Sequence, residues 1–190
     1  MKQFTIRSTW DSDPLADGHH TEITVKGFEG GVVLEVDAPF YNDPPSPDVG
    51  AGERCWQLWD YEVVEAFFLG KDEQYLEIEL CPHGQYLTLA LRGKRNIIKD
   101  DLSIEFSTEK RHENRWRGTA IFPMHYLPPG LCKFNAYAIH GSGGKRQYKA
   151  LYPTPKNKFE NPDFHRLDYF SQVDFANVIT GTTEAESKLW

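Results

Sequence analysis

Residues 75–91 constrain the chain more than any other stretch. Tyr75-Leu76-Glu77-Ile78-Glu79-Leu80 alternates strictly, and Tyr86-Leu87-Thr88-Leu89-Ala90-Leu91 follows after Cys81-Pro82-His83-Gly84-Gln85. A period of two belongs to a strand, whose successive side chains point to opposite faces. Pro82 presets its own φ and Gly84 accepts a positive φ, so the intervening residues read as a turn and the two runs as a hairpin. Leu76, Ile78 and Leu80 are expected on the core face. Tyr75, Glu77 and Glu79 share the other face.

The same period recurs at 21–26, 32–37, 63–69, 102–107, 115–122 and 133–140, each run bounded by Gly, Pro, Asn or Asp. In 32–37, Val32, Leu34 and Val36 fall on one side. Eight short strands with no long helical pattern predict an all-β chain, an antiparallel β-sandwich with long Pro-rich loops and little helix. Residues 40–53 and 152–162 are the Pro-rich loops, 27–31 is a hairpin turn, and 123–130 holds one helical turn. At 190 residues one domain is expected. It is placed at 1–175, with 176–190 as a polar C-terminal tail.

The formal net charge is −7. An acidic chain has no long-range attraction for phosphate backbones, so nucleic acid is not expected as a partner. Lys94-Arg95, Lys110-Arg111 and Lys145-Arg146 read as solvated turns. Cys55, Cys81 and Cys132 are odd in number and lack a Cys-x-x-Cys spacing, which argues against a disulfide scaffold or a zinc site. No cofactor or metal is expected. Residues 1–7 have no apolar core of signal length, and no run approaches the ~20 apolar residues that span a bilayer. The expected location is therefore the cytoplasm, with the nucleus as the alternative, and neither secretion nor membrane attachment is expected. Gly141-Ser142-Gly143-Gly144-Lys145-Arg146 is not a phosphate loop: Ile139 stands where the first glycine belongs, and no Ser or Thr follows Lys145.

The densest chemistry is Cys55-Trp56-Gln57-Leu58-Trp59-Asp60-Tyr61-Glu62-Val63-Val64-Glu65, where a long loop enters a strand. Aromatic rings can stack on the C–H face of a sugar, and nearby carboxylates can accept hydrogen bonds from its hydroxyls. The plainer alternative is a Trp capping the core beside solvated acids. Glu65 lies within an apolar strand, so its carboxylate must either pair with an arginine on a neighbouring strand or face a groove. Glu77 and Glu79 share a face that could serve acid–base chemistry or a calcium ion; the simpler expectation is the wet face of a sheet. His140 ends a strand, and it and His165 could each reach a pocket at the loop ends.

These stretches carry a resemblance. Residues 58–69 and 73–84, with Ala38-Pro39-Phe40, Lys133-Phe134-Asn135, Ala138-Ile139-His140-Gly141-Ser142, Leu151-Tyr152-Pro153 and Pro162-Asp163-Phe164-His165, resemble the chromosome 4 open reading frame 33 protein family over roughly residues 1–175. That resemblance implies no activity. A more distant likeness is to family 9 carbohydrate-binding modules and DOMON-like sandwiches. It implies a β-sandwich whose sugar site clamps a terminal sugar between two rings, with a Glu six residues after the first Trp. Trp59 and Glu65 have that spacing, and the second ring falls at Tyr152, where those modules usually carry Trp.

The first expectation is accordingly a non-catalytic binding module for a sugar or small glycoconjugate. Its ligand residues would be Trp59, Glu65 and Tyr152, with Asp60, Asn135, Trp56 and His140 around them. A protein-interaction domain using the acidic-aromatic loop 40–65 is the alternative. A glycan hydrolase with paired carboxylates among Asp60, Glu65, Glu77 and Glu79 is a further one. Haem held by Met124 and a histidine is the last, because some DOMON-like domains bind haem.

Overall fold

A computed structural model describes residues 1–111, 114–179 and 188–190. Most of the expected tail therefore lies outside the described residues. Strands β1 (Lys2–Ile6), β2 (Ser8–Thr9), β3 (Thr21–Phe28) and β4 (Gly31–Pro39) precede the long loop. Then come β5 (Val63–Leu69), β6 (Gln74–Leu80), β7 (Tyr86–Arg92), β8 (Ile97–Lys99), β9 (Glu105–Arg111) and β10 (Arg115–Pro123). β11 (Lys133–His140), β12 (Gln147–Ala150) and β13 (Ser171–Gln172) complete the chain. They form two antiparallel sheets, β1-β3-β4-β10-β9 and β2-β12-β11-β5-β6-β7-β8. β13 adds to the edge of β11 beyond the end of β12. Among the described residues, helix is confined to 3-10 turns, including Leu58–Asp60, Met124–Tyr126 and Leu167–Tyr169. None is long and apolar enough to cross a membrane.

The alternating strands turn their apolar sides inward, as their pattern requires. Val32, Leu34 and Val36 of one sheet meet Ala66, Phe68, Leu76, Ile78 and Leu80 of the other in a single core. Phe68 sits at its centre, with Phe134 at 5.1 Å and Phe122 and Phe175 at 6.0 Å. The C-terminal segment belongs to this core as far as it is described, since Val178 and Ile179 are buried there. β9 begins later than expected. The ladder with β10 starts at Glu105, opposite Ile121, so Leu102 and Ile104 reach the core as extended chain without a strand partner. Met124 packs partly buried against the same core.

The larger sheet gains four short strands that the period of two does not mark, β2, β8, β12 and β13, and it differs in its burial as well. Every residue of β5 and β6 is buried, so both faces are covered. Its outer face carries a second apolar cluster that includes Val63, Phe67, Leu69, Leu87 and Leu89. Phe164 and Phe170, from the segment between β12 and the C-terminus, close over it: Phe164 stacks on Tyr137 at 3.9 Å, and Phe170 meets Phe67 at 5.7 Å.

Close approach of the C-terminal segment to β3 depends on Gly27. A Cβ there would stand 2.2 Å from the Val178 carbonyl oxygen. Gly27→Ala is expected to cost about 1–3 kcal/mol by displacing that segment, measured as a lower urea midpoint. An unchanged midpoint would show that the segment adds nothing to stability.

Candidate functional site

The site is built on the outer face of β5, β6 and β7. Register places Tyr137, Glu65, Glu79 and Leu87 in one row across β11, β5, β6 and β7. Asn135, Phe67, Glu77 and Leu89 form the next row. Glu77 and Glu79 do share this face, but it is not wet: Glu65, Glu77 and Glu79 are only 2%, 4% and 0% exposed. The apolar cluster on this face, with Cys55 and Leu58 from the loop before β5 and Phe164 and Phe170 from the later segment, leaves them little access to water. No arginine stands on a neighbouring strand for Glu65, whose cross-strand partners are Tyr137 and Glu79.

Apart from the bond that the protonated Glu79 carboxyl donates to Glu77, both oxygens of Glu79 and one of Glu77 have no hydrogen-bond partner among the described residues. Burying a carboxylate favours its neutral form, and a second carboxylate alongside adds to the effect. Burial first, then the neighbouring charges, pushes Glu65 and Glu79 well above the usual carboxylate range. Burial pushes Glu77 up to about 8. Among the described residues, no group of three or more His, Cys, Asp or Glu side chains is arranged to hold a metal ion.

Above Glu65 and Glu77 lies a cavity of about 400 Å³, within the range of small-molecule sites. Trp59 and Asp60 form one wall, from the 3-10 turn whose Leu58 is fully buried. Arg146 holds that turn in place. Its guanidinium donates to the carbonyls of Asp60 and Gly141, both at 3.0 Å, of Tyr61 at 3.3 Å, and of Trp59. Trp56 stands outside, 47% exposed, with its ring edge-on to Trp59 at 5.3 Å.

Asp163, Phe164 and His165 also line the cavity. Burial alone would raise Asp163. Hydrogen bonds from Lys94 (2.6 Å), the His165 N–H (3.0 Å) and Arg95 (2.9 Å) outweigh it and hold the carboxyl at about 2. Burial pushes His165 down to about 4, with Arg95 adding to the effect, and its Nδ1 shares a 2.7 Å hydrogen bond with the Tyr75 hydroxyl. That hydroxyl also accepts the Arg95 N–H at 3.0 Å.

Of the residues singled out in the sequence, the fold brings Trp59, Asp60 and Glu65 to this cavity, with Trp56 beside it. Tyr152 lies elsewhere, at a separate space of about 10 Å³ bordered by Trp10 and Tyr169. Asn135 is a tie rather than a lining residue. Its amide donates to the Tyr137 hydroxyl (2.9 Å) and the Tyr152 carbonyl (3.0 Å), and its oxygen accepts the Tyr152 N–H (3.0 Å).

His140 is stacked on Tyr41 at 3.5 Å, beside Glu62 and Lys149, around another space of about 10 Å³. Such a volume holds one water at most. Burial pushes His140 down to about 4, and it pushes the neighbouring Lys149 down to about 8. Glu62 accepts the Tyr41 and Asp43 N–H groups, so this second cluster pins loop 40–53.

Sequence reasoning passed over Arg95 and Arg146 as solvated turns, yet both line the cavity. Each follows a Gly-Lys pair, Gly93-Lys94 and Gly144-Lys145, a pattern that does not separate a solvated cation from one folded back onto the protein. Asp163 carried a usable signal: it lies among Pro162, Phe164 and His165, in a segment too aromatic to remain in solvent.

No protein-family model matches the chain. It is 46% identical to human UPF0462 protein C4orf33, over 98% of the chain and 96% of that protein. It is 47% identical to the rat homolog, over 98% and 96%. Among solved structures, it resembles a candidate carbohydrate-binding protein from Bacteroides uniformis with a TM-score of 0.62, at 14% identity over 90% of this chain and 84% of that one. It also resembles a family 9 carbohydrate-binding module from Caldicellulosiruptor kristjanssonii in complex with glucose, with a TM-score of 0.53 at 11% identity over 89% and 81%. At such identities the likeness shows the β-sandwich fold.

Proposed function

Starting from a chain that belongs to the UPF0462 protein C4orf33 family, we propose that the protein is a non-catalytic binding module whose cavity takes one saccharide unit. The observation that carries this reading is the meeting of Trp59, Asp60 and Glu65 with Glu77 around about 400 Å³. A pyranose ring offers an apolar C–H face to an indole and hydroxyls to carboxylates. The fold neighbours support the reading, one being a carbohydrate-binding module in complex with glucose.

The second ring in this reading is Phe164, which lines the same cavity as Trp59, whereas Tyr152 does not. Trp59 is anchored through its backbone by Arg146, so removing its ring leaves the turn intact. Trp59→Ala is expected to weaken saccharide binding at least tenfold while costing only about 1–2 kcal/mol of stability, since the ring packs partly buried against the outer cluster. Isothermal calorimetry against a monosaccharide panel, with urea unfolding alongside, measures both. Failure of the wild-type protein to bind any saccharide in the panel would refute the reading.

A further inference from the structure

We propose that the buried end of the cavity receives a protonated primary amine, so that the saccharide it selects is an amino sugar. The amino-sugar part rests on the saccharide reading above; the ammonium part does not. Glu77 is 4% exposed, lines the cavity and has an oxygen with no partner among the described residues. Glu65 lines the cavity beside it, and Glu79 lies opposite Glu65 across the strand pair.

The surrounding cations are committed elsewhere. Arg146 donates to backbone carbonyls, and Arg95 and Lys94 bind Asp163. Once Glu65 and Glu77 give up their protons, they present acceptors alone to a ligand. A hydroxyl brings one donor and asks for donors in return, whereas an ammonium brings three donors and no acceptor. It also supplies the charge that lets Glu65 and Glu77 ionise without standing as lone buried anions.

The inference has a signature in protons. Seating an ammonium ionises carboxyls that are neutral in the empty cavity, and each releases its proton to solvent. Affinity then rises with pH, by up to about tenfold per unit for each proton released. The other titrating groups facing the floor do not change charge between pH 5 and 7. Burial raises Cys55, Tyr75 and Tyr137 and lowers His165, and the bonds from Lys94, His165 and Arg95 keep Asp163 ionised against its burial.

The experiment is calorimetry of the full chain with D-glucosamine, D-glucose, N-acetyl-D-glucosamine and putrescine. It is run at pH 5.5 and 6.5 in buffers of different ionisation enthalpy. Glucosamine is expected to bind about tenfold or more tighter than glucose or N-acetylglucosamine, and about three- to tenfold tighter at pH 6.5 than at 5.5, with net proton release. Glucose binding as well as glucosamine, with no proton release, overturns the amine and leaves the saccharide reading standing. Putrescine binding with proton release while no sugar binds supports the amine and overturns the saccharide reading. No binding by any of the four overturns both. Glu77→Gln, and Glu65→Gln should the first fail to fold, are expected to erase the glucosamine preference and its pH dependence; a folded variant that keeps both overturns the inference.

Discussion

Glu79→Gln is expected to stabilise the ligand-free protein by about 2–4 kcal/mol at pH 7.5 and hardly at all at pH 4. Glu79 is fully buried, faces Glu65 across the strand pair, and has no partner among the described residues other than Glu77, itself a carboxyl. In the unfolded chain a glutamate ionises above about pH 4.3, while burial, Glu65 and Glu77 hold the folded carboxyl neutral far beyond that. A group whose folded value is raised contributes its full stability below the unfolded value. It loses that contribution as pH climbs toward the folded value, at up to about 1.4 kcal/mol per unit.

His140 and His165 act in the opposite direction. Burial holds both at about 4, so their contribution is lost as pH falls from about 6.5 toward 4. The two trends oppose each other in that window, and above pH 6.5 the carboxyl trend stands alone until about 8. Urea unfolding of the wild type is thus expected to show stability declining from pH 6.5 to 8, and the Gln variant should decline less steeply. A variant no more stable than wild type at pH 7.5 would mean that these carboxyls do not hold their protons in the fold.

Arg146→Ala is expected to lower stability by about 2–4 kcal/mol and to abolish saccharide binding together with it. The half-buried guanidinium joins the β11–β12 connection, through Gly141, to the backbone of Trp59, Asp60 and Tyr61. Charge-assisted bonds of this kind contribute about 1.5–3 kcal/mol each, less where water competes. Without them the turn carrying Trp59 has lost its outer tether. Lysine offers a point charge in place of a planar fork and cannot span those carbonyls, so Arg146→Lys should recover little of either property. Urea unfolding combined with the saccharide titration separates this variant from Trp59→Ala, which is expected to lose binding at a smaller cost in stability. An Arg146→Ala protein with full stability and full affinity would show that the tether is idle.

Periodicity revealed most of the sandwich because its strands obey an alternation set by the backbone. The β5 and β11 bounds and the β6–β7 hairpin follow from it, and so does the inward set Leu76, Ile78 and Leu80. Alternation gives the direction of a side chain, not what lies above it. It therefore gives Glu77 and Glu79 their face but not their burial, since the cluster on that face draws on Cys55 and Leu58 from the loop before β5 and on Phe164 and Phe170 from far along the chain. The Trp59–Glu65 spacing was legible for a local reason, since one turn and one strand carry both. Asp163, Arg95 and Arg146 reach the same cavity from distant loops, and nothing in their own neighbourhoods states where those loops fold. Tyr152 illustrates the converse: its N–H and carbonyl are bound to Asn135, and this turns the residue toward Trp10 and Tyr169.

A crystal structure of the protein soaked with the tightest-binding monosaccharide tests the central claim most directly. The account predicts one pyranose ring in the cavity, its C–H face against Trp59 and its polar groups toward Glu65 and Glu77. A sugar bound instead at Tyr152 or His140, or a cavity still empty at a saturating sugar concentration, would contradict it.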